Sequence, residues 1–331
     1  MFEISNYYKK ISIKIPARLH LDVMNIQKLH EGKVGGGGIG IAIKCNLSIS
    51  VEVIRTEKDI IESIKPNLVK LYLDLIRKYL NIDKKFHVIC KADKELKAHG
   101  GMGSNALIQL GIVYSINSLF NNPLNDIQLL DFLHQNYYED DKGIVTNKVF
   151  CSGVAHNTML YGGVCFVSED GEIIYHKELP NDVKVGLINV NLDEIFEREN
   201  IDKDELIVKL RKERDRKEGL KNKENIIKEI MIRDLKNNKY KAFINGMKMF
   251  SKEDDSVALS KNCKINNLRY ESFCEIIENI GNTFVRISSN SPYIYIITNE
   301  LEKIKEKCRE YGIYIKEYEI SNKGIEIIER I

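Results

Sequence analysis

Three glycines in residues 99–106 (HGGMGSNA) stand directly before an apolar segment that extends to about Phe120. Glycine lets the backbone turn tightly and lets a ligand approach it closely, and serine is a residue type that caps helices. The pattern therefore predicts a loop followed by an apolar helix that Ser104 caps. Backbone N–H groups at such a helix start form an anion site. The loop is either a phosphate cradle or an ordinary glycine turn before a buried helix.

Two well-known nucleotide motifs fit this loop poorly. Residues 101–106 match the letters G-x-G-x-x-A of a dinucleotide loop, but a polar stretch separates them from the preceding apolar strand. The next acidic residue, Asp126, is predicted to begin a helix rather than to end a strand. No Lys-Ser or Lys-Thr pair follows the glycines, which excludes a Walker A loop. A nicotinamide enzyme is thus the poorer interpretation.

The charge balance excludes several classes of protein. Lys and Arg number 50 and Asp and Glu number 48, so the net charge of +2 lacks the basic excess of a nucleic-acid-binding protein. No apolar run approaches the roughly 18 residues of a membrane span. The seven cysteines are scattered without a CxxC pair, which is typical of reduced thiols. We expect a cytoplasmic protein that binds small molecules, and neither nucleic acid nor a membrane.

The order of the predicted elements is mixed and indicates an α+β fold. Helices are predicted from Pro66, from about residue 126 to 138 and at three places after residue 224, with strands between and around them. A β-α-β-β pattern from residue 293 onward predicts a small split sheet. A chain of 331 residues suggests two domains, which we place at 1–180 and 181–331. The mixed-charge segment 197–229 is predicted to be a solvated helical arm.

Polar side chains alternate along the first predicted strand. Because side chains two residues apart share a face of a strand, Arg18, His20 and Asp22 are expected on one face. A second glycine stretch, residues 34–40, enters the next strand. It either lets the backbone approach a ligand or forms a bulge or hairpin.

Two further stretches offer polar groups at loops. Residues 151–158 (CSGVAHNT) precede a strand, and residues 288–292 (SSNSP) supply hydroxyls and backbone amides before another strand. Both are candidate ligand-binding loops by composition alone.

These stretches, in this order, resemble the motifs of the GHMP superfamily, which includes galactokinase, homoserine kinase, mevalonate kinase and phosphomevalonate kinase. Within it, the chain is most similar to the β-ribofuranosylaminobenzene 5′-phosphate synthases of methanogens. The matching stretches, which together span most of the chain, are residues 17–26 (ARLHLDVMNI), 32–43 (GKVGGGGIGIAI), 99–106 (HGGMGSNA), 152–163 (SGVAHNTMLYGG) and 288–292 (SSNSP).

The resemblance implies an N-terminal half like domain 2 of ribosomal protein S5 and a ferredoxin-like C-terminal half. It implies a reaction in which phosphoribosyl pyrophosphate and 4-aminobenzoate, or a related aromatic acid, combine and release CO2 and pyrophosphate. Mg²⁺ is expected on the pyrophosphate, and the product is expected to serve tetrahydromethanopterin synthesis in an archaeal cell. A homodimer is the expected assembly.

One position separates this synthase from a kinase. Mevalonate-kinase-like members have an aspartate that activates the acceptor hydroxyl, and Ala155 stands at the matching position here. A general base typically contributes about 10²–10⁴-fold, so Ala155 favours the synthase over an ATP-dependent small-molecule kinase. Asn105 and Ser291 replace glycines of the family pattern, and Lys33 stands where arginine is usual. These departures leave a non-catalytic ligand-binding paralogue as a third hypothesis.

The resemblance and the residue chemistry together give candidate site residues. We expect the amides around Gly101 and Gly103 to bind the pyrophosphate and Arg18 to clamp a carboxylate or phosphate. His20 is expected to hydrogen-bond substrate or move a proton, with Asp22 setting its tautomer. The predicted catalytic residues are thus Arg18, His20 and Asp22. The predicted substrate-binding residues are Gly37, Gly38, His99, Gly101, Gly103, Ser104, Asn105, Ser152, Gly153, Ser288 and Ser289.

Overall fold

A computed structural model describes most of the chain. The described residues are 9–93, 96, 102–140, 142–189, 222–252, 264–266, 268–287 and 293–331. Most of the predicted charged arm at 197–229 lies outside them.

The described residues contain fifteen strands and eight α-helices. The strands are β1 (Lys10–Asp22), β2 (Gly38–Ile54), β3 (Ile60–Glu62), β4 (Lys85–Ala92), β5 (Tyr138–Glu139), β6 (Val145–Thr146), β7 (Val164–Val167), β8 (Ile173–Lys177), β9 (Lys184–Asn189), β10 (Lys264–Ile265), β11 (Leu268–Arg269), β12 (Phe284–Ile287), β13 (Tyr293–Thr298), β14 (Lys316–Glu319) and β15 (Glu326–Arg330). The helices are α1 (Pro66–Leu80), α2 (Ser104–Leu119), α3 (Asp126–Leu133), α4 (Val154–Tyr161), α5 (Arg233–Lys236), α6 (Tyr240–Lys252), α7 (Tyr270–Glu278) and α8 (Leu301–Arg309), with a 3₁₀ turn at Ile26–Lys28 and a π-helical stretch at Ile226–Ile232 before α5.

The first sheet has seven strands and is built around β1 and β2. Strands β15, β1, β2, β4 and β3 lie side by side in that order. The long strand β2 pairs with β4 through its second half and with β7 through its first residues, and β8 continues from β7. The final strand β15 pairs with β1 and not with the strands of the preceding tail. Our prediction that the last strand belongs to a second, split sheet is wrong on this point.

The second sheet has four strands in the order β12-β13-β9-β14, all antiparallel. In chain order these are strand β9, strand β12 preceded by helix α7, strand β13, helix α8 and strand β14. That is the β-α-β-β-α-β connectivity of a ferredoxin-like unit. The mixed elements and the two sheets confirm the predicted α+β class.

Helix α2 packs against the middle of the first sheet. Nearly all of its residues are buried, which agrees with its apolar sequence. Gly111 allows close packing on the sheet, because a Cβ at this position would lie 2.1 Å from Cδ1 of Ile49 in β2. Among the described helices, none is both long and apolar enough to cross a membrane.

Helix α3 is shorter than predicted. It ends at Leu133, and Asn136 then adopts a left-handed φ of 43°, so the chain turns into β5 instead of continuing as helix to 138. The carboxylate of Glu139 in β5 accepts a hydrogen bond from Leu68 N. Glu139 thereby caps the start of α1, whose own N-cap residue, Lys65, makes no side-chain cap.

Candidate functional site

Helix α2 begins at a left-handed glycine. Gly103 is the N-cap, with φ of 80° and ψ of 34°, and as glycine it has no side chain with which to cap the helix. The first bond of the helical ladder runs from Leu107 N to Gly103 O at 2.9 Å. The amides of Ser104, Asn105 and Ala106 therefore precede the ladder, and they constitute the donor set expected at a helix start. The predicted role of Ser104 as the cap is wrong, because Ser104 is already the first helical residue.

Arg18 of β1 lies against this helix start. A Cβ built on Gly103 would lie 3.7 Å from Cγ and 3.8 Å from Nε of Arg18, and Arg18 N donates to Met102 O at 3.4 Å. Burial lowers the pKa of Arg18 from 12.5 to about 10, while Cys151 acts in the opposite direction. The guanidinium is thus charged at neutral pH and lies beside amides that favour an anion.

Asn105, which replaces a glycine of the family pattern, is the second residue of α2. Its side-chain Oδ1 accepts a hydrogen bond from Glu139 N at 3.3 Å. Asn105 therefore ties the first turn of α2 to β5. Since Glu139 also caps α1, this one contact connects the starts of two helices.

Helix α4 repeats the arrangement seen at α2. Its N-cap is Gly153, with φ of 79° and again no side-chain cap hydrogen bond. Ser152 Oγ lies 3.4 Å from His20 Nε2 and 3.4 Å from Val154 N. Two helix starts therefore flank β1, with Arg18 beside α2 and His20 beside α4. The sequence did not predict α4, although it identified Ser152 and Gly153 as candidate site residues.

The first turn of α4 carries no carboxylate. Ala155 is buried there, and the next residue, His156, is only 1% exposed. His156 Nε2 lies 2.7 Å from Oε1 of Gln109 in α2. Burial, followed by the positive charges of His134 and Arg18, lowers the pKa of His156 to about 3. His156 is therefore neutral at physiological pH and connects α4 to α2 inside the fold.

Asp22 lies at the end of β1, in the seam between the two sheets. Among the described residues, its carboxylate accepts a hydrogen bond from Val23 N at 2.7 Å and faces Arg286 at 3.5 Å and Lys223 at 3.7 Å. The predicted role of Asp22 in setting the tautomer of His20 stays a prediction. A β-bulge interrupts the alternation of β1 between the two residues.

The second glycine stretch is explained by close backbone packing. A Cβ on Gly37 would lie 2.1 Å from Ser168 O, and one on Gly38 would lie 2.0 Å from Asp22 O. Both residues have positive φ and are buried. The chain therefore needs glycine at these two positions to pass between β1 and the turn after β7, and the predicted contact with substrate stays a prediction.

Four predicted site residues, His99, Gly101, Ser288 and Ser289, lie outside the described residues. Within the described part of the chain, no group of three or more His, Cys, Asp or Glu side chains could hold a metal ion. The start of α2 offers the hydroxyl of Ser104, which suits a Mg²⁺ ion held mostly by the phosphate oxygens of a substrate.

Sequence reasoning missed Lys223, Arg286 and Glu139 as residues of this region. All three make contacts to partners at least 71 residues away in the chain. No local motif marks them, so only a knowledge of the topology identifies them.

Comparisons with known proteins agree with this architecture. No family model and no curated protein matches the sequence. Solved structures do match over nearly the full length. Homoserine kinase from Cytophaga hutchinsonii is 13% identical with a TM-score of 0.60, and the match covers 99% of each chain.

Two further solved structures are similar. Mevalonate kinase from Methanococcus jannaschii is 13% identical with a TM-score of 0.62, covering 96% of this chain and 99% of that one. Mevalonate diphosphate decarboxylase from Enterococcus faecalis is 10% identical with a TM-score of 0.64, covering 97% and 99%. At such identities the likeness concerns the fold, and the chain has the fold that these three structures share.

Proposed function

We propose that this chain is an ATP-dependent kinase that phosphorylates a small molecule. The observation that carries the proposal is the start of α2, where three amides precede the helical ladder beside the half-buried side chain of Arg18. Such an arrangement suits a nucleotide phosphate. The likeness to a homoserine kinase, a mevalonate kinase and a phosphotransferase related to coenzyme A biosynthesis supports this function over a phosphoribosyl transfer.

The absence of a carboxylate at Ala155 does not exclude this chemistry. Phosphoryl transfer passes through a loose transition state, so positioning and charge stabilisation supply most of the catalysis. In the proposed reaction the acceptor hydroxyl attacks the γ-phosphorus of ATP, ADP leaves and the hydroxyl proton is released. His20, at the start of α4, is our candidate for receiving that proton. Arg18 and the α2 amides would hold the phosphates, and a Mg²⁺ ion bound to those phosphates would neutralise part of their charge.

A second candidate function rests on Ala155 and on the motif resemblance. The condensation of phosphoribosyl pyrophosphate with 4-aminobenzoate needs no base for an alcohol, because an aromatic carbon attacks the ribose. The same helix start would hold the pyrophosphate. This function stays the alternative, with tetrahydromethanopterin as the end product it implies.

One set of assays separates these functions. Purified protein with Mg²⁺ and ATP is offered homoserine, mevalonate or pantoate, and in parallel phosphoribosyl pyrophosphate with 4-aminobenzoate. We expect ADP release that depends on an acceptor alcohol. Release of CO2 and pyrophosphate without ATP turnover would establish the alternative instead. Binding of either substrate in calorimetry without any product would indicate the non-catalytic paralogue.

A further inference from the structure

The end of β1 contains a bulge next to His20. His20 pairs with Gly40 of β2 and Asp22 pairs with the adjacent Ile39, so Leu21 is an extra residue on β1. Bulges beside functional sites re-aim a neighbouring side chain. Here the neighbouring side chain is His20, whose ring lies 3.4 Å from Ser152 Oγ at the start of α4.

Three side chains from the second half of the chain contact the bulge. Tyr295 donates its hydroxyl to Leu21 O at 3.4 Å, and Arg286 approaches the carboxylate of Asp22 at 3.5 Å. Lys223 donates to Val23 O at 3.0 Å and lies 3.7 Å from Asp22. Each of the three consecutive residues from Leu21 to Val23 is therefore held by a group from outside the first sheet.

These contacts are buried, and two of the three side chains come from neighbouring strands of the second sheet. Arg286 and Tyr295 are cross-strand partners in β12 and β13, so they project from one face of the second sheet. Exposure is 0% for Tyr295, 3% for Lys223, 6% for Arg286 and 8% for Asp22. Arg286 also donates to Ser251 O at 3.1 Å, and Lys223 lies 4.9 Å from the ring centre of Phe250, both in α6.

Buried charges cost much when they lose a partner, whereas a satisfied pair fixes one geometry. Arg286 and Lys223, two cations from separate segments, lie against the carboxylate of Asp22. The backbone carbonyls of Leu21 and Val23 accept hydrogen bonds as well. These contacts therefore oppose relaxation of the bulge into a regular ladder, which would turn the side chain that follows Leu21 to the other face of the strand.

We propose that Tyr295, Arg286 and Lys223 form an interdomain clamp on the bulge of β1 and thereby aim His20 at the mouth of α4. They are positioning residues, since they act through the backbone at Leu21–Val23. The functional consequence rests on the proposed kinase activity, because His20 is the proton acceptor assigned there. The geometric consequence, the orientation of the His20 ring, is independent of that activity.

The sharpest variant is Tyr295→Phe, which removes one hydroxyl and keeps the ring in the core. Its matched control is Tyr240→Phe in α6, where the hydroxyl is buried and has no hydrogen-bond partner among the described residues. Arg286→Met and the conservative Arg286→Lys form a second pair, in which lysine retains the charge. The measurement is the nuclear Overhauser contact between the His20 ring and the Ser152 side chain in the full chain, with His20→Gln assigning the ring signals.

We expect Tyr295→Phe and Arg286→Met to weaken or abolish that contact, and Tyr240→Phe to leave it intact. Arg286→Lys should restore part of it. With an accepted substrate, kcat should fall roughly ten- to a hundredfold with little change in KM, as for a misplaced catalytic group. An unchanged His20–Ser152 contact in the folded Tyr295→Phe and Arg286→Met variants would overturn the clamp. Failure of the proposed function is distinguishable, since ATP would then not turn over while the contact still responded.

Discussion

The side chain of Arg18 in β1 lies beside Gly103, the residue from which α2 begins, although the two belong to different elements of the fold. The position of a Cβ on Gly103 is 3.7 Å from Cγ of Arg18 and 2.6 Å from Cε of Met159. Glycine, with its left-handed φ of 80°, lets the first turn of α2 lie directly over the arginine. The anion site that we propose depends on this proximity of a cation to a helix start.

Gly103→Ala should weaken both the fold and the binding of nucleotide. Alanine in a left-handed conformation costs about 1–2 kcal/mol, and the new methyl group would displace Met159 at the helix start. We expect the free energy of unfolding to fall by about that amount in urea titrations, and the affinity for Mg·ATP in calorimetry to fall as well. Gly312→Ala is the control, because Gly312 has φ of 66° and its Cβ would meet only Asn266 Nδ2 at 3.6 Å. Equal affinities of the two variants would contradict the assigned site.

Arg18→Lys should reduce nucleotide affinity although it conserves the charge. Arginine binds phosphate through two parallel N–H groups, whereas lysine is a point charge on a flexible stem. We expect the Kd for Mg·ATP to rise about tenfold, equivalent to about 1.4 kcal/mol, and to rise further in Arg18→Met. Arg309→Lys, at an exposed position in α8, serves as the control. If Arg18→Lys binds Mg·ATP as tightly as the wild type, Arg18 is not a phosphate ligand.

Asn105→Asp should lower the affinity for nucleotide without lowering the stability of the fold. Aspartate keeps the oxygen that accepts from Glu139 N, and a negative charge at a helix start adds about 0.3–1 kcal/mol of stability. The same charge repels phosphate, so we expect Mg·ATP affinity to fall while the melting temperature is unchanged or higher.

The matched control for this prediction is Asn125→Asp. Asn125 caps α3 through a capping box with Gln128 and is exposed. The substitution adds the same charge to another helix start and should leave Mg·ATP affinity unaltered. Parallel losses of affinity in both variants would indicate a general charge effect and not a site at α2.

The stability of the fold should decrease as the pH falls below about 6.5. Unfolding restores the ordinary pKa of 6.5 to His156, whereas the folded chain takes up that proton only near pH 3. The unfolded state thus binds more protons between these values, which costs about 1.4 kcal/mol of stability per pH unit. Burial also lowers the pKa of His134 and His176, so they act in the same direction.

Urea unfolding at pH 7 and pH 5 tests this dependence. We expect His156→Gln to have a smaller loss of stability between the two pH values than the wild type. His30→Gln, at an exposed position, should match the wild type. Identical pH dependence in all three proteins would show that His156 titrates normally in the fold.

The sequence predicted the features that depend on neighbouring residues. Local periodicity predicts the helix from Ser104 and the strand that carries Arg18. Proline at a helix start, together with periodicity, predicts the helix that begins at Pro66. The place of Gly103 as the N-cap was missed because serine, the next residue, is the more usual cap. At this helix start a left-handed backbone turn, which glycine adopts easily, outweighs the usual preference for serine as the N-cap.

Contacts between distant parts of the chain were beyond sequence reasoning. β15 extends the first sheet although it follows the second sheet in sequence. The alternation rule placed Arg18, His20 and Asp22 on one face, but the extra residue Leu21 interrupts it. A bulge leaves no distinct mark in a single sequence, since its stabilising contacts come from Tyr295, Arg286 and Lys223.

The most direct test of the central claim is a titration of the full chain with Mg·ATP, followed through the amide signals of Ser104, Asn105 and Ala106. If a phosphate binds at the start of α2, these three amides shift together and saturate with one affinity, and Arg18→Met weakens that affinity. If ATP binds while the three amides stay unperturbed, or does not bind at all, the phosphate site lies elsewhere and the proposed kinase function loses its structural basis.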